Sequence, residues 1–335
     1  PYNDAESQGT FFVDMPDIAS SAGSIQVQRG VGTSTNGAGS FGGSINLGTN
    51  DIITKSSLEL NNSAGSYHSF KNTLILNSGL FGKHFTVDAR MSNIRSDGYI
   101  ERAGSRLSSF FSSVAYTGNK NSLRLNIFTG KEKTYQAWYG IDEQTLKSNR
   151  RYNAAGTEKP GEPYDNETDN YTQTHYQLFY NHKFSSFFKA NIALFLTRGR
   201  GYYEQYKSAE SLGNYQLPDY NDGTNIISET DLVRRLWLDN YFYGTVFSLQ
   251  YQQKNTTIIA GGGLNKYDGK HFGEINWAMI QAAVPLNHRW YNLTAGKQDI
   301  SGYIKWTQKI NTNWQTFIDL QLRAADYSIN GFRNN

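Results

Sequence analysis

The chain has 335 residues, a length that admits one or two domains and that all-β barrels commonly reach as a single unit. Hydrophobic residues make up only 38% and mean hydropathy is −0.61, yet aromatics reach 14%, with 23 Tyr and 19 Phe, which excludes a disordered chain. Net charge is +3 and no basic run exceeds a pair such as Arg150 and Arg151, so a phosphate-tracking nucleic-acid face is excluded. With no cysteine, disulfides, thiol catalysis, zinc–thiolate clusters and iron–sulfur ligation are excluded together, and no cofactor is expected. No apolar run approaches the roughly 18 residues of a membrane helix, so a bilayer crossing would need the strands of a closed barrel. The sequence opens at Pro1 without an initiator Met or an apolar leader, and is expected to be a processed or excerpted piece.

In chain order, residues 1–54 stand apart: they are rich in Gly and Ser, nearly free of Lys and Arg, and hold one short β-like run at 25–28. Residues 55–335 repeat long alternating strands. Residues 70–80 set Phe70, Asn72, Leu74, Leu76 and Leu80 against Lys71, Thr73, Ile75 and Asn77. Residues 188–196 set Phe188, Ala190, Ile192, Leu194 and Leu196 against Lys189, Asn191 and Ala193, and 314–324 set Trp314, Thr316, Ile318, Leu320 and Leu322 against Gln315, Asp319, Gln321 and Arg323. Period-2 alternation means one apolar and one polar face. The gaps between strands are by turns short, at 82–83, 118–121, 185–186, 254–256 and 311–313, and long, at 98–105, 136–170, 204–235 and 266–299. Short turns at one end and long loops at the other characterise outer-membrane barrels. Aromatics gather where strands meet gaps, with Phe81, Phe184, Trp306 and Trp314 at one end and Trp138, Tyr139, Tyr202, Tyr203 and Trp237 at the other, as two interfacial girdles would. About eleven strands are expected, and an odd number cannot close without unpaired backbone in lipid, so the expectation is half of a 22-stranded antiparallel transmembrane barrel.

The string RGVGTSTNGAGSFGGSIN, residues 29–46, contains G-x-G-x-x-G at Gly37, Gly39 and Gly42. No helical period follows it, so a dinucleotide site lacks its context. Its glycines instead allow positive φ and close backbone approach, and Gly37, Gly42 and Gly43 are expected to tolerate bulk poorly. The string resembles the end of the plug domain in TonB-dependent outer-membrane transporters. Arg29 and Gly30 match its opening, Gly37 the glycine of its YG, Gly42 and Gly43 its glycine pair, and Ile45 and Asn46 its close; Val31 and Asn36 depart from it, where proline and tyrosine are common. The wider run, with YDGKHFGE at residues 267–274, is similar to receptors of Bacteroidetes. The resemblance covers the C-terminal part of the plug, 1–54, and the N-terminal half of the barrel, 55–335.

That resemblance implies TonB-dependent active transport of a scarce nutrient across the outer membrane of a Gram-negative bacterium, with no bond made or broken. A ferric siderophore or another iron chelate is the first choice, with haem, cobalamin or a glycan as alternatives by the same mechanism. It implies TonB, outer-membrane lipid and lipopolysaccharide, and a small-molecule ligand as partners, with room for a surface lipoprotein. A passive porin or a secreted β-rich sugar-binding module are the readings from other classes. Lumen charges at Lys71, Asp88, Arg90, Arg124, Lys189, Asp319 and Arg323 are expected to face the plug or solvent. His175 and His182, seven apart in one strand, face opposite sides and cannot share a metal; His271 and His288 share a long gap and could meet around haem or a metal, though scattered loop histidines are more often solvated, and Asp165, Glu167 and Asp169 could hold calcium but lack EF-hand spacing and fit a solvated acidic loop better. Flat, rigid aromatic surface points to ligand contact at Trp138, Tyr139, Tyr203, Trp277 and Trp290, joined by His271 and by Asn36 at the plug turn.

Overall fold

The computed structural model describes residues 5–7, 9–30, 42–49 and 51–331. Its main body is an eleven-stranded antiparallel sheet in which each strand pairs with the next along the chain. In order these are β3 (Ser57–Gly65), β4 (Ser69–Asn77), β5 (Phe85–Ser96), β6 (Ser105–Thr117), β7 (Asn121–Tyr135), β8 (Thr168–Lys183), β9 (Phe188–Ser211), β12 (Glu229–Gln253), β13 (Thr256–Ala278), β14 (His288–Lys309) and β15 (Gln315–Asn330). Ahead of them, β1 (Ser24–Arg29) and β2 (Gly43–Gly48) pair as a separate ribbon, and a two-residue pair, β10 (Tyr220–Asn221) and β11 (Ile226–Ile227), lies between β9 and β12.

The alternation read from the sequence places side chains as expected. On β4, Lys71, Thr73, Ile75 and Asn77 turn inward while Phe70 and Leu76 are exposed outward; on β5, Thr86, Asp88, Arg90 and Ser92 are buried while Phe85, Val87 and Met91 are exposed. The same split runs through Ser109, Phe111 and Ser113 of β6 and Arg124, Asn126 and Phe128 of β7. An exposed row of Leu, Val, Ile and aromatic residues is the surface a strand presents to hydrocarbon, with the polar face turned to the lumen.

The connections segregate by end. Short turns at 78–84, 118–120, 184–187, 254–255 and 310–314 lie at one end, and the longer loops 97–104, 136–167, 212–228 and 279–287, with the tight turn 66–68, lie at the other. Phe81, Phe85 and Tyr116 pack together at the short-turn end, as do His182, Phe184 and Phe188. At the other end Tyr202, Trp237 and Phe272 stack in register across three strands.

Two of the expected long loops are much shorter than their sequence signal. Of 204–235 only 212–228 leaves the sheet, and of 266–299 only 279–287 does. The strands run on past the apolar band, where both faces meet protein and the period fails: Leu232 and Val233 are buried in succession, as are Phe272 and Gly273. Register shifts at Val233/Arg234 and Gly273/Glu274 mark the same places.

That outer extension has its own core. Leu212, Tyr215, Leu232, Leu236, Ile275 and Trp290 form a buried cluster that seats the 3-10 turn Leu212–Tyr215 on the strands. The loop 136–167 is held by polar groups instead. Buried Glu204 accepts from Tyr164 (2.6 Å) and from the Nε of Arg235 (2.7 Å), and its carbonyl accepts from Gln136 (2.9 Å). Trp290→Ala should open a cavity worth about 3 to 5 kcal/mol at this end. Hydrogen exchange should then accelerate in 212–217 and 279–287 while β4 to β8 keep their protection.

Candidate functional site

The N-terminal segment lies against the inward face of the sheet, and its contacts centre on one carboxylate. Asp17 sits at a left-handed φ of 59°, a conformation Asp tolerates, between two 3-10 turns, Phe12–Asp14 and Ile18–Ser21. Its side chain is 4% exposed. It accepts from Thr73 (2.8 Å), Ser92 (2.7 Å) and Ser20 (2.5 Å) and pairs with Lys71, while the Arg90 guanidinium lies 3.4 Å away. Arg90 also donates to Ser21 (2.6 Å) and to Ser109 on the next strand (3.0 Å). One plug carboxylate thus engages two strands, and its guanidinium neighbour reaches a third. Burial pushes the Asp17 carboxyl up, but hydrogen bonds from Lys71, Ser20, Ser92 and Thr73 outweigh it and hold the group down at about 2.

Apolar packing flanks this polar knot. Met15 and Ile18 are buried on the inward rings Phe111 and Phe128, with Leu47 of β2 against the same cluster, and His175 stacks on Phe128 at 4.4 Å. At Gly130 of β7 the plug backbone comes close to the wall: a Cβ there would lie 2.0 Å from the Asp14 carbonyl oxygen and 2.7 Å from Pro16. Further along, Arg124 donates to Ser113 (2.7 Å) and reaches the Asp51 carbonyl (3.4 Å).

A second contact lies on the far strands. Glu6 accepts from the Tyr267 hydroxyl (2.6 Å), the Tyr327 hydroxyl (3.2 Å) and His271 Nε2 (2.8 Å), and Lys297 donates to the Ala5 carbonyl (2.7 Å). Burial raises the Glu6 carboxyl, and the bonds from His271 and Tyr267 more than reverse this, leaving it below its ordinary value.

The expected site residues divide accordingly. Among the lumen charges, Lys71, Arg90 and Arg124 reach the plug, Arg323 pairs with Asp299 (2.6 Å), and Lys189 is exposed. His175 is buried inward and His182 lies on the opposite face beside Phe184, as their spacing requires. His271 is a strand residue bound to the plug, and His288 opens β14 with Nε2 against the Tyr215 carbonyl (2.7 Å), so the two histidines do not share a loop. Trp290, expected as a ligand anchor, is 3% exposed between Tyr215 and Tyr291 and belongs to the outer core. Trp277 is exposed and stacks with Tyr206; Trp138 is exposed and meets Tyr203 edge-on, and Tyr139 accepts from Gln205 (3.2 Å).

In the glycine-rich string, Arg29, Ile45 and Asn46 are exposed on the β1–β2 ribbon. Gly30 has a positive φ of 79° and donates its N–H to the Gly42 carbonyl (3.1 Å). Gly43 faces Gln28, whose carbonyl oxygen would lie 2.8 Å from an added Cβ, whereas at Gly42 a Cβ meets no described atom within 4 Å. Among the described residues, close packing therefore falls on Gly43 and the ribbon's own partner strand rather than on Gly42. Asn36 and Gly37 lie outside the described residues.

No family model and no curated protein sequence matches the chain. Solved structures do. The ferric-catecholate import receptor Fiu of E. coli K12, in its open form, matches at a TM-score of 0.62 and 15% identity, covering 92% of this chain and 50% of that one. The ferripyoverdine receptor of the outer membrane of Pseudomonas aeruginosa, bound to ferripyoverdine, matches at 0.62 and 14%, covering 92% and 42%. The fold is that of the TonB-dependent outer-membrane receptors. The copper transporter OprC shares it at a TM-score of 0.64 and 12% identity, covering 90% of this chain and 42% of that one. The chain spans about half the length of these solved receptors or less. Within this outer-membrane receptor fold, the eleven strands are barrel wall and the segment around Asp17 is plug.

Two substitutions probe the plug contact. Asp17→Asn should loosen the plug by about 2 kcal/mol at neutral pH, the scale of a carboxylate held nearly two units below its ordinary value. The wild-type group is depressed, so its contribution is complete above 3.8 and fades as pH falls towards about 2. Hydrogen exchange in 12–21 should show both effects, and the variant should lose the pH dependence across that window. Gly130→Val should displace 12–16 from the wall while the barrel still migrates as a folded, heat-modifiable species on gels.

Proposed function

We propose that this chain is the plug end and part of the wall of a TonB-dependent active transporter, carrying a ferric siderophore or a related iron chelate from outside the cell to the periplasm. The observation that supports this most is the buried Asp17 contact. A polar plug segment is seated on the lumen face of a wall whose other face is apolar, an arrangement that a passive pore has no use for and a soluble sandwich could not keep in water. The solved receptors of this fold are named for ferric catecholate, ferripyoverdine and copper, which favours a metal chelate as the substrate class here.

In this reading, energy from the inner membrane reaches the plug through TonB. The Asp17 and Glu6 contacts then resist displacement from opposite parts of the wall, each through hydrogen-bonded charge that is costly to leave half-made. Ligand enters at the end bearing loops 136–167, 212–228 and 279–287, where Trp138, Tyr139, Tyr203 and Trp277 offer aromatic surface. Asn36 belongs to the same proposal as a plug-turn contact.

Orientation and cargo have separate tests. Cysteines at Asn166 and Asn221 should label with an impermeant reagent on intact cells, and one at Asn119 should not; the reverse pattern would overturn the topology. A deletion strain should fail to grow on a ferric siderophore as the only iron source and recover with the intact gene. Growth defects confined to haem, cobalamin or glycan sources would reassign the cargo.

A further inference from the structure

Two carboxyl groups meet beside Gly130 on the lumen side of the wall. The plug backbone at Asp14 lies against that glycine, and Glu132 follows two residues along β7, the spacing at which side chains of a strand return to the same face. Asp14 closes the 3-10 turn Phe12–Asp14, and its carboxyl stands within hydrogen-bonding range of the Glu132 carboxyl. Both residues are buried, Glu132 to 3% exposure and Asp14 to 8%. Glu132 Oε2 has no hydrogen-bond donor among the described residues.

The surroundings bring no cation to Glu132. Its neighbours on β7, Lys131 and Lys133, are exposed on the outward face. Opposite it in register stand Leu107 of β6 and Tyr171 of β8, whose hydroxyl meets Asn240 (3.4 Å). The next inward row, Thr134 with Asp169 of β8, adds a further acid; in the other direction His175 lies two rows away, stacked on Phe128 and hydrogen-bonded to Thr197 (3.0 Å). Lys71 and Arg90 are placed on Asp17. The charged groups that act on Glu132 are Asp14 and Asp169, both acidic. Two ionised carboxylates this close repel and offer each other only lone pairs, whereas a single proton turns one of them into a donor for the other. A metal ion would bridge them too, but among the described residues no three His, Asp or Glu groups stand together to hold one.

We propose that Asp14 and Glu132 form a proton-binding site at the plug–wall contact, with the proton on Glu132 and its O–H donated to the Asp14 carboxylate. When the pair ionises, the proton passes to water and two like charges are left facing each other across the contact. The seated plug thus holds one proton more than the withdrawn plug, whose separated carboxyls ionise in the ordinary range at about 4. Seating through this pair is complete below that range and weakens as pH rises, the opposite sense to Asp17, whose contribution fades towards low pH. A glutamine at 132 would keep the donor at every pH; the glutamate makes the grip on the plug respond to protons. The inference needs neither the cargo nor the orientation proposed above, so growth and labelling results leave it separately testable.

The full-length receptor in detergent micelles is followed by two measurements. Infrared spectra at neutral pH should contain a protonated-carboxyl carbonyl band that bleaches on alkaline titration and is missing from Glu132→Gln. Hydrogen exchange in 12–15, corrected at each pH for the intrinsic rate, should lose protection in the wild type by up to about tenfold per pH unit above neutrality, the limit for one proton. Glu132→Gln, whose amide donates to Asp14 throughout, should hold its protection within about twofold over the same range. Lys131→Gln, on the other face of β7, should follow the wild type. A carbonyl band of equal strength in Glu132→Gln, or protection that falls equally with pH in both proteins, overturns the proposal. Protection lost at every pH in Glu132→Gln overturns it too, because the amide keeps the donor. If calcium restored protection at alkaline pH and EDTA removed it, the pair would be a metal site and the proton assignment would be wrong.

Discussion

The wall has an apolar face turned outward and an inner face that, on β4 to β7 and again on β13 to β15, meets the N-terminal segment, and the rest of the structure depends on that constraint. Backbone groups facing lipid find no water, so every one must pair with a neighbouring strand, and only side chains remain to distinguish the faces. The inward row on β4 and β5 is consequently rich in groups that can hydrogen-bond: Lys71, Thr73, Asn77, Thr86, Asp88, Arg90 and Ser92. Such a face is stable only if something polar meets it. Asp17 supplies that partner, and its bonds to Lys71, Thr73 and Ser92 with Arg90 alongside match its negative charge.

The contact combines two kinds of force with different uses. Met15 and Ile18 on Phe111 and Phe128 contribute non-directional burial, which tolerates small shifts of the plug. The Asp17 knot is directional, with four hydrogen-bonding or ionic partners on the wall, and breaks when the plug moves by little more than a hydrogen-bond length. Gly130 joins the two, because only a residue without Cβ lets the plug backbone reach the depth at which both form.

Beyond the bilayer the wall becomes an ordinary protein surface. Long strands continue, but their two faces no longer see different media, so Trp290, Tyr215 and Ile275 can gather into a small core and Glu204 can be buried beneath a loop. The outward face changes character there as well. Arg198 and Arg200 pair there with Asp239 and Lys266 with Asp268, whereas Arg95, Arg106 and Lys133 stand in register on β5, β6 and β7 with no ion pair among the described residues.

Sequence alone determined the wall: its strand count, the inward and outward rows, and the end at which the short turns lie. All follow from a period of two that the bilayer enforces on every strand. It also set residues 1–54 apart as a unit nearly free of Lys and Arg; the first thirty of them hold four acids, Asp4, Glu6, Asp14 and Asp17, against Arg29, while the lumen row contains Lys71, Arg90 and Arg124. That imbalance was the available signal for a plug–wall salt contact, but it could not say which acid meets which cation, because such pairing joins residues more than fifty positions apart and has no period. Only the tertiary structure decided that Asp17 lies on β4 and β5, that His271 meets Glu6, and that Trp290 is buried in the outer core. The sequence placed His271 and Trp290 in a loop because alternation vanishes above the membrane, although backbone pairing there does not.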